Sequence, residues 1–161
     1  MDEYDCLTPD NMRLIQVKTD TVGLPVWELM ENHFEEIRSA VMELPRTLVY
    51  TDFHFSNLAV ARDRTRALVY DYNFLFKSYA YSDIRNVCGN FYNTEAKAAF
   101  LSAYGGFDER EVAVDNVASE FASLAIACSR EVFPDWAKDG VEKVRDGRWL
   151  AAVEKLLKES R

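Results

Sequence analysis

Residues 50–57 read Y-T-D-F-H-F-S-N, which sets a carboxylate, Asp52, five residues before an amide, Asn57. A further acid, Asp71, follows the apolar run A-L-V-Y and stands in V-Y-D-Y-N. Asn57 and Asp71 offer one neutral and one anionic oxygen donor, with the Asp52 carboxylate nearby. Hard donors of this kind suit Mg²⁺, which is usually held by one or two carboxylates together with substrate phosphates. The chemistry such a set can perform is phosphoryl transfer, whose general layout has an Asp that accepts a hydroxyl proton, an Asn five residues on, and a second metal-holding Asp. An Asp–Asn spacing alone is a weak signal, so its weight depends on the elements around it.

Those elements are short. T-L-V-Y at 47–50, N-L-A-V at 57–60 and A-L-V-Y at 67–70 read as strands, and the polar A-R-D-R-T-R between the last two reads as a hairpin loop. The hairpin is expected to return Asp71 to the side of Asn57. Upstream, Trp27, Met30, Phe34, Ile37, Val41 and Leu44 recur at steps of 3, 4, 3, 4 and 3, which predicts one amphipathic helix ending before Pro45. Residues 1–25, punctuated by Pro9, Gly23 and Pro25, are expected to be irregular, with room for a short strand at M-R-L-I-Q-V. After Ser82 the chain turns helical. Asp108 with Glu111 can open a helix carrying Val114, Val117, Phe121, Leu124 and Cys128, Pro134 stops that run, and a last helix carries Trp149, Val153 and Leu156. The expected class is α+β and mostly helical, in one domain over 1–161: a lead-in at 1–25, the loop, hairpin and metal-binding segment at 47–87, and a helical subdomain at 88–161.

The runs Y-T-D-F-H-F-S-N-L-A-V, A-L-V-Y-D-Y-N and S-D-I-R together resemble the C-terminal lobe of the aminoglycoside phosphotransferase and choline kinase-like family, which has a protein kinase-like fold. In that family a His-Gly-Asp-x-His-x-x-Asn loop precedes a hairpin, a second metal-binding Asp, and an Asp that braces the loop. The resemblance implies Asp52 as catalytic base, Asn57 and Asp71 as metal ligands, Asp83 as the brace and His54 as the loop's second histidine. It implies Mg²⁺ as cofactor, ATP as phosphoryl donor and a small hydroxyl acceptor of the aminoglycoside, choline or sugar type; no substrate-binding residue is assigned. Tyr50 and Thr51 depart from the family's His and Gly. No G-x-G occurs, and no strand lysine in a V-A-I-K-like setting precedes the first amphipathic helix, so the nucleotide-gripping N-terminal lobe is expected to be absent. A lone C-terminal lobe is expected to turn over ATP negligibly, and to form a homodimer or to need a separate N-lobe. The alternative is a non-catalytic kinase-like structural or interaction domain.

Charge and composition narrow the partners. A net charge of -8 and a pI near 4.8 argue against nucleic acid, whose affinity comes largely from Lys and Arg. They suit a cationic acceptor, and the resemblance, which implies an acceptor site on the helices after the hairpin, makes Asp108, Glu109, Glu111, Asp115 and Glu120 candidate contacts. Cys6, Cys88 and Cys128 are odd in number and far apart, so neither a disulfide framework nor a zinc site is expected, and a cytoplasmic location fits. No run reaches 18 apolar residues and no apolar leader follows the acidic start, so membrane insertion and secretion are not expected. The chain has two histidines and no G-x-S-x-G, which leaves a Ser-His-Asp hydrolase without support. His54 is expected to be a structural hydrogen-bonder, His33 a mid-helix surface or packing residue, and Arg62–Arg66 a solvated hairpin end.

Overall fold

The computed structural model describes residues 2–159, over which eight α-helices and four β-strands make an α+β chain that is mostly helical. The chain divides into two compact units, one of Asp2 with Pro45–Asp108, the other of Glu3–Leu44 with residues 109–159.

In the helical unit the first element is α1, Pro9–Lys18, where a short strand was expected. Local signals explain the difference. Thr8 caps the helix by accepting the Asn11 N–H at 3.2 Å, Pro9 occupies the first turn with Asp10, and Lys18 stands in the last. Met12, Ile15 and Gln16 are buried at steps of 3 and 1, a helical face rather than the alternation of a strand.

The stripe from Trp27 to Leu44 is buried as its period predicts, but on two helices, α2 at Pro25–Asn32 and α3 at Phe34–Met42. His33 is therefore a joint and not a mid-helix residue. Its backbone leaves the helical region at φ -121°, and its ring meets Glu36, three residues on, at 2.8 Å. A one-residue joint keeps the stripe in phase.

The long helix α6, Glu109–Cys128, begins one residue after Asp108 and packs against α1, α3, α7 (Lys138–Arg145) and α8 (Arg148–Glu159). Its buried residues run from Glu111 to Cys128 around most of its circumference, as suits the central helix of a bundle. Trp149 on α8 stands edge-on to Trp27 at 5.3 Å and donates its indole N–H to the Val117 carbonyl at 3.3 Å. Three of the acids named as candidate contacts for a cationic acceptor have defined surroundings in this unit. Glu111 and Asp115 are buried, Asp115 accepts the Tyr4 hydroxyl at 3.4 Å, and Glu120 pairs with Lys143 at 2.7 Å.

The other unit holds all four strands and two helices, α4 at Ala80–Asn90 and α5 at Thr94–Tyr104. Strands β1 (Thr47–Tyr50), β2 (Leu58–Val60) and β3 (Ala67–Val69) match the three apolar runs to within a residue. The fourth, β4 at Leu75–Ser78, was not expected from the sequence. It pairs antiparallel with β1, from Thr47 opposite Ser78 to Tyr50 opposite Leu75, while β2 pairs with β3 as the expected hairpin. The single expected hairpin is thus inserted between the strands of a second two-stranded sheet. This unit carries seven Lys and Arg against seven Asp and Glu, so the net charge of -8 lies wholly in the rest of the chain. Among the described residues no helix is long and apolar enough to cross a membrane.

Candidate active site

Asp52, His54, Asn57, Asp71 and Asp83 all lie in the strand-bearing unit, and the β1–β4 pair brackets the segment that carries the first four. The ladder continues one step past β1, where the Thr51 N–H donates to the Phe74 carbonyl at 3.2 Å. The chain between them contains the loop, the hairpin and Asp71. Within the hairpin the Tyr70 N–H donates to the Asn57 carbonyl at 3.0 Å, which sets Asp71 one residue from that pair. Asp52, Asn57 and Asp71 therefore emerge at one end of two short antiparallel pairs. Residues far apart in sequence can be fixed there by backbone hydrogen bonds alone.

Asp52 and Asn57 are in direct contact. The Asn57 amide donates to Asp52 Oδ2 at 2.7 Å and to the Asp52 carbonyl at 3.2 Å, while its Oδ1 accepts the Ser56 hydroxyl at 3.3 Å. A tight turn makes this possible. The His54 N–H donates to the Asp52 carbonyl at 2.8 Å and the Asn57 N–H to the His54 carbonyl at 2.9 Å, closing the 3-10 turn Phe55–Asn57. At this turn the His54 Nδ1 lies 2.8 Å from the Ser56 hydroxyl and its ring packs on Phe55.

Asp71 is exposed and adopts a left-handed backbone, φ 65° and ψ 75°, at the start of the 3-10 turn Tyr72–Phe74. Such a conformation is uncommon for a residue with a Cβ, Asp and Asn being the usual exceptions, and strained positions of this kind cluster at functional sites. The Asn73 amide donates to Asp71 Oδ1 at 2.6 Å.

Asp83, on the first turn of α4 and 6% exposed, accepts the Tyr50 N–H at 2.7 Å and the Tyr104 hydroxyl at 2.9 Å. It so joins the end of β1 to the end of α5, a helix without a fully buried residue. The Phe100 ring on α5 adds a contact with Phe53, 6.1 Å between centroids. Removing the carboxylate strands two donors, one of them a buried backbone N–H. Asp83→Ala is expected to cost on the order of 1–3 kcal/mol, and Asp83→Asn less because one acceptor survives. Urea unfolding measures both, and an unchanged midpoint for Asp83→Ala would contradict the bracing role.

Two residues outside the expected set complete the site. Tyr50, 7% exposed, donates its hydroxyl to the Tyr70 carbonyl at 2.9 Å and packs edge-on against Phe53 and Tyr72, at 5.4 and 6.4 Å. Burial raises its pKa above the ordinary tyrosine value, and the Asp52 and Asp71 carboxylates push the same way against an opposing hydrogen bond with Asn57. One hydroxyl thus senses both acids, and it stays a neutral donor. Asn86 on α4 is the second: its Oδ1 accepts the Phe53 N–H at 2.6 Å and its Nδ2 donates to the Thr51 carbonyl at 2.6 Å. Its sequence signal is faint, an amide three residues after Asp83 in S-D-I-R-N.

Among the described residues no three His, Cys, Asp or Glu side chains are grouped to hold a metal ion, and a site of one acid and one amide lies outside that pattern. No protein-family model matches the chain, and neither a curated protein nor a solved structure matches it.

Proposed function

We propose that the chain carries the catalytic part of an ATP-dependent phosphotransferase acting on a hydroxyl of a small molecule, of the aminoglycoside phosphotransferase and choline kinase-like type. The observation that carries the reading is the Asp52–Asn57 hydrogen bond at 2.7 Å beside the Tyr70–Asn57 backbone pair, which sets Asp71 one residue from Asn57. In this reading Asp52 orients the acceptor hydroxyl and takes its proton as the new oxygen–phosphorus bond forms and the bond to the departing ADP breaks. Asn57 holds the carboxylate by one oxygen, Oδ2, and leaves Oδ1 for the acceptor. Asp83 and Asn86 hold the backbone beneath it.

The donor set fits a hard cation. Asn57 Oδ1 accepts one long hydrogen bond and Asp71 is exposed, so each keeps oxygen lone pairs to give. Mg²⁺ on these two residues would neutralise the phosphate oxygens during transfer. These 161 residues contain no G-x-G and no strand lysine in a V-A-I-K-like setting to grip the phosphates, so the reading gives this chain the base and the metal ligands, with the grip supplied by another segment or chain.

The test is metal binding. Mn²⁺ added to the chain is expected to broaden the amide resonances of Asn57 and Asp71 first, at concentrations that leave α8 unaffected. Asp71→Ala should abolish the effect, and equal broadening in that variant would remove the assignment.

A further inference from the structure

We infer that Asn86 is a positioning residue for Asp52, an inference that rests on the phosphotransferase reading above. Asn86 follows Asp83 by three residues on α4, so the two side chains share one helix face. From that face they take three backbone groups around the loop's start. Asp83 accepts from the Tyr50 N–H, and Asn86 donates to the Thr51 carbonyl and accepts from the Phe53 N–H. The residue enclosed by the two Asn86 bonds is Asp52.

A carboxamide suits this task because it presents a donor and an acceptor on one planar group. The two backbone partners, a carbonyl and an N–H, also determine which way the amide faces, since the flipped form would set like against like. Asp52 otherwise depends on its own turn, through the His54 and Asn57 donors to its carbonyl, both of which lie on its C-terminal side. Asn86 supplies the anchor on both sides and ties the carboxylate's backbone to a helix. Groups that orient a reacting or ligating side chain in this way typically change metal affinity or activity by about 10–100-fold when removed.

The experiment uses the full 161-residue chain labelled with ¹⁵N, its Asn86→Ala and Asn86→Asp variants, and Mn²⁺ as probe. Because the Asn57 amide is held on the Asp52 carbonyl at 3.2 Å, freeing the Asp52 backbone also frees Asn57, so Asn86→Ala is expected to weaken Mn²⁺ binding at Asn57 and Asp71 by about tenfold, within the range for removing a supporting contact. Hydrogen exchange at the Phe53 amide should accelerate by a similar factor while the α8 amides keep their chemical shifts. Asn86→Asp retains the acceptor and should keep the Phe53 amide protected. Mn²⁺ binding in Asn86→Ala equal to that of the parent chain overturns the positioning role alone. Loss of the α8 signals in that variant overturns it too, because the residue would then serve folding in general. Phe53 exchange as fast in Asn86→Asp as in Asn86→Ala shows that the Oδ1 contact is not made. Absence of Mn²⁺ broadening in the parent chain overturns the phosphotransferase reading, and this inference with it.

Discussion

Asp52→Asn is expected to lower acceptor phosphorylation by about 10²–10⁴-fold, the range for losing a general base. The substitution is nearly isosteric and keeps an oxygen for the Asn57 amide, which donates to Asp52 Oδ2 at 2.7 Å, so the loop should hold its shape. What disappears is the capacity to take a proton at neutral pH. Mn²⁺ binding at Asn57 and Asp71 should survive, which separates loss of the base from loss of the metal. The assay pairs the chain with a nucleotide-gripping lobe, ATP, and a panel of amino sugars, choline and neutral sugars. Turnover by Asp52→Asn equal to that of the parent, on a confirmed acceptor, would remove Asp52 from the mechanism.

Trp149→Ala is expected to destabilise the helical unit by about 3–5 kcal/mol, the range for truncating a buried Trp or Phe. Trp149 is 1% exposed, stands edge-on to Trp27 at 5.3 Å, lies 6.5 Å from Phe121, and satisfies its indole N–H at the Val117 carbonyl. Truncation loses the packing on α2 and α6 and takes the indole donor from that carbonyl. Trp149→Phe keeps a ring and should cost less. Urea unfolding followed by far-UV circular dichroism gives both values, and a loss below about 1 kcal/mol would mean that the bundle closes around the gap and that the site is not a rigid part of the core.

The candidate site was legible in part. Asp52, Asn57, Asp71 and Asp83 could be picked out because their types suit one chemistry and apolar runs of strand length bracket them. His54 could be read as structural because a nearby acid already suited the role of base. Tyr50 and Asn86 could not be picked out. Their parts are played through the Tyr70 carbonyl, the Thr51 carbonyl and the Phe53 N–H, and backbone groups leave no mark in a sequence. The same holds for β4, whose L-F-K-S has no strong pattern of its own and becomes a strand because β1 offers it a ladder.

The sequence by itself determined the mostly helical α+β class, the β2–β3 hairpin and the apolar stripes of the Trp27–Leu44 stretch, α6 and α8, because hydrophobic period and turn chemistry act within a few residues of each other. It also carried the signals for α1 in Thr8, Pro9 and Asp10, which outweigh the strand-like look of M-R-L-I-Q-V once Met12 and Ile15 find a core. Only the tertiary structure decided where the stripe breaks, at His33, and that the chain's acidity belongs to the helical unit. It alone set β4 beside β1 and α4 beneath the loop, which ties both ends of the segment carrying Asp52, Asn57 and Asp71 to the rest of the unit. Those arrangements rest on hydrogen bonds between residues more than twenty positions apart, and such pairings are selected by the folded chain as a whole, not by any local stretch of it.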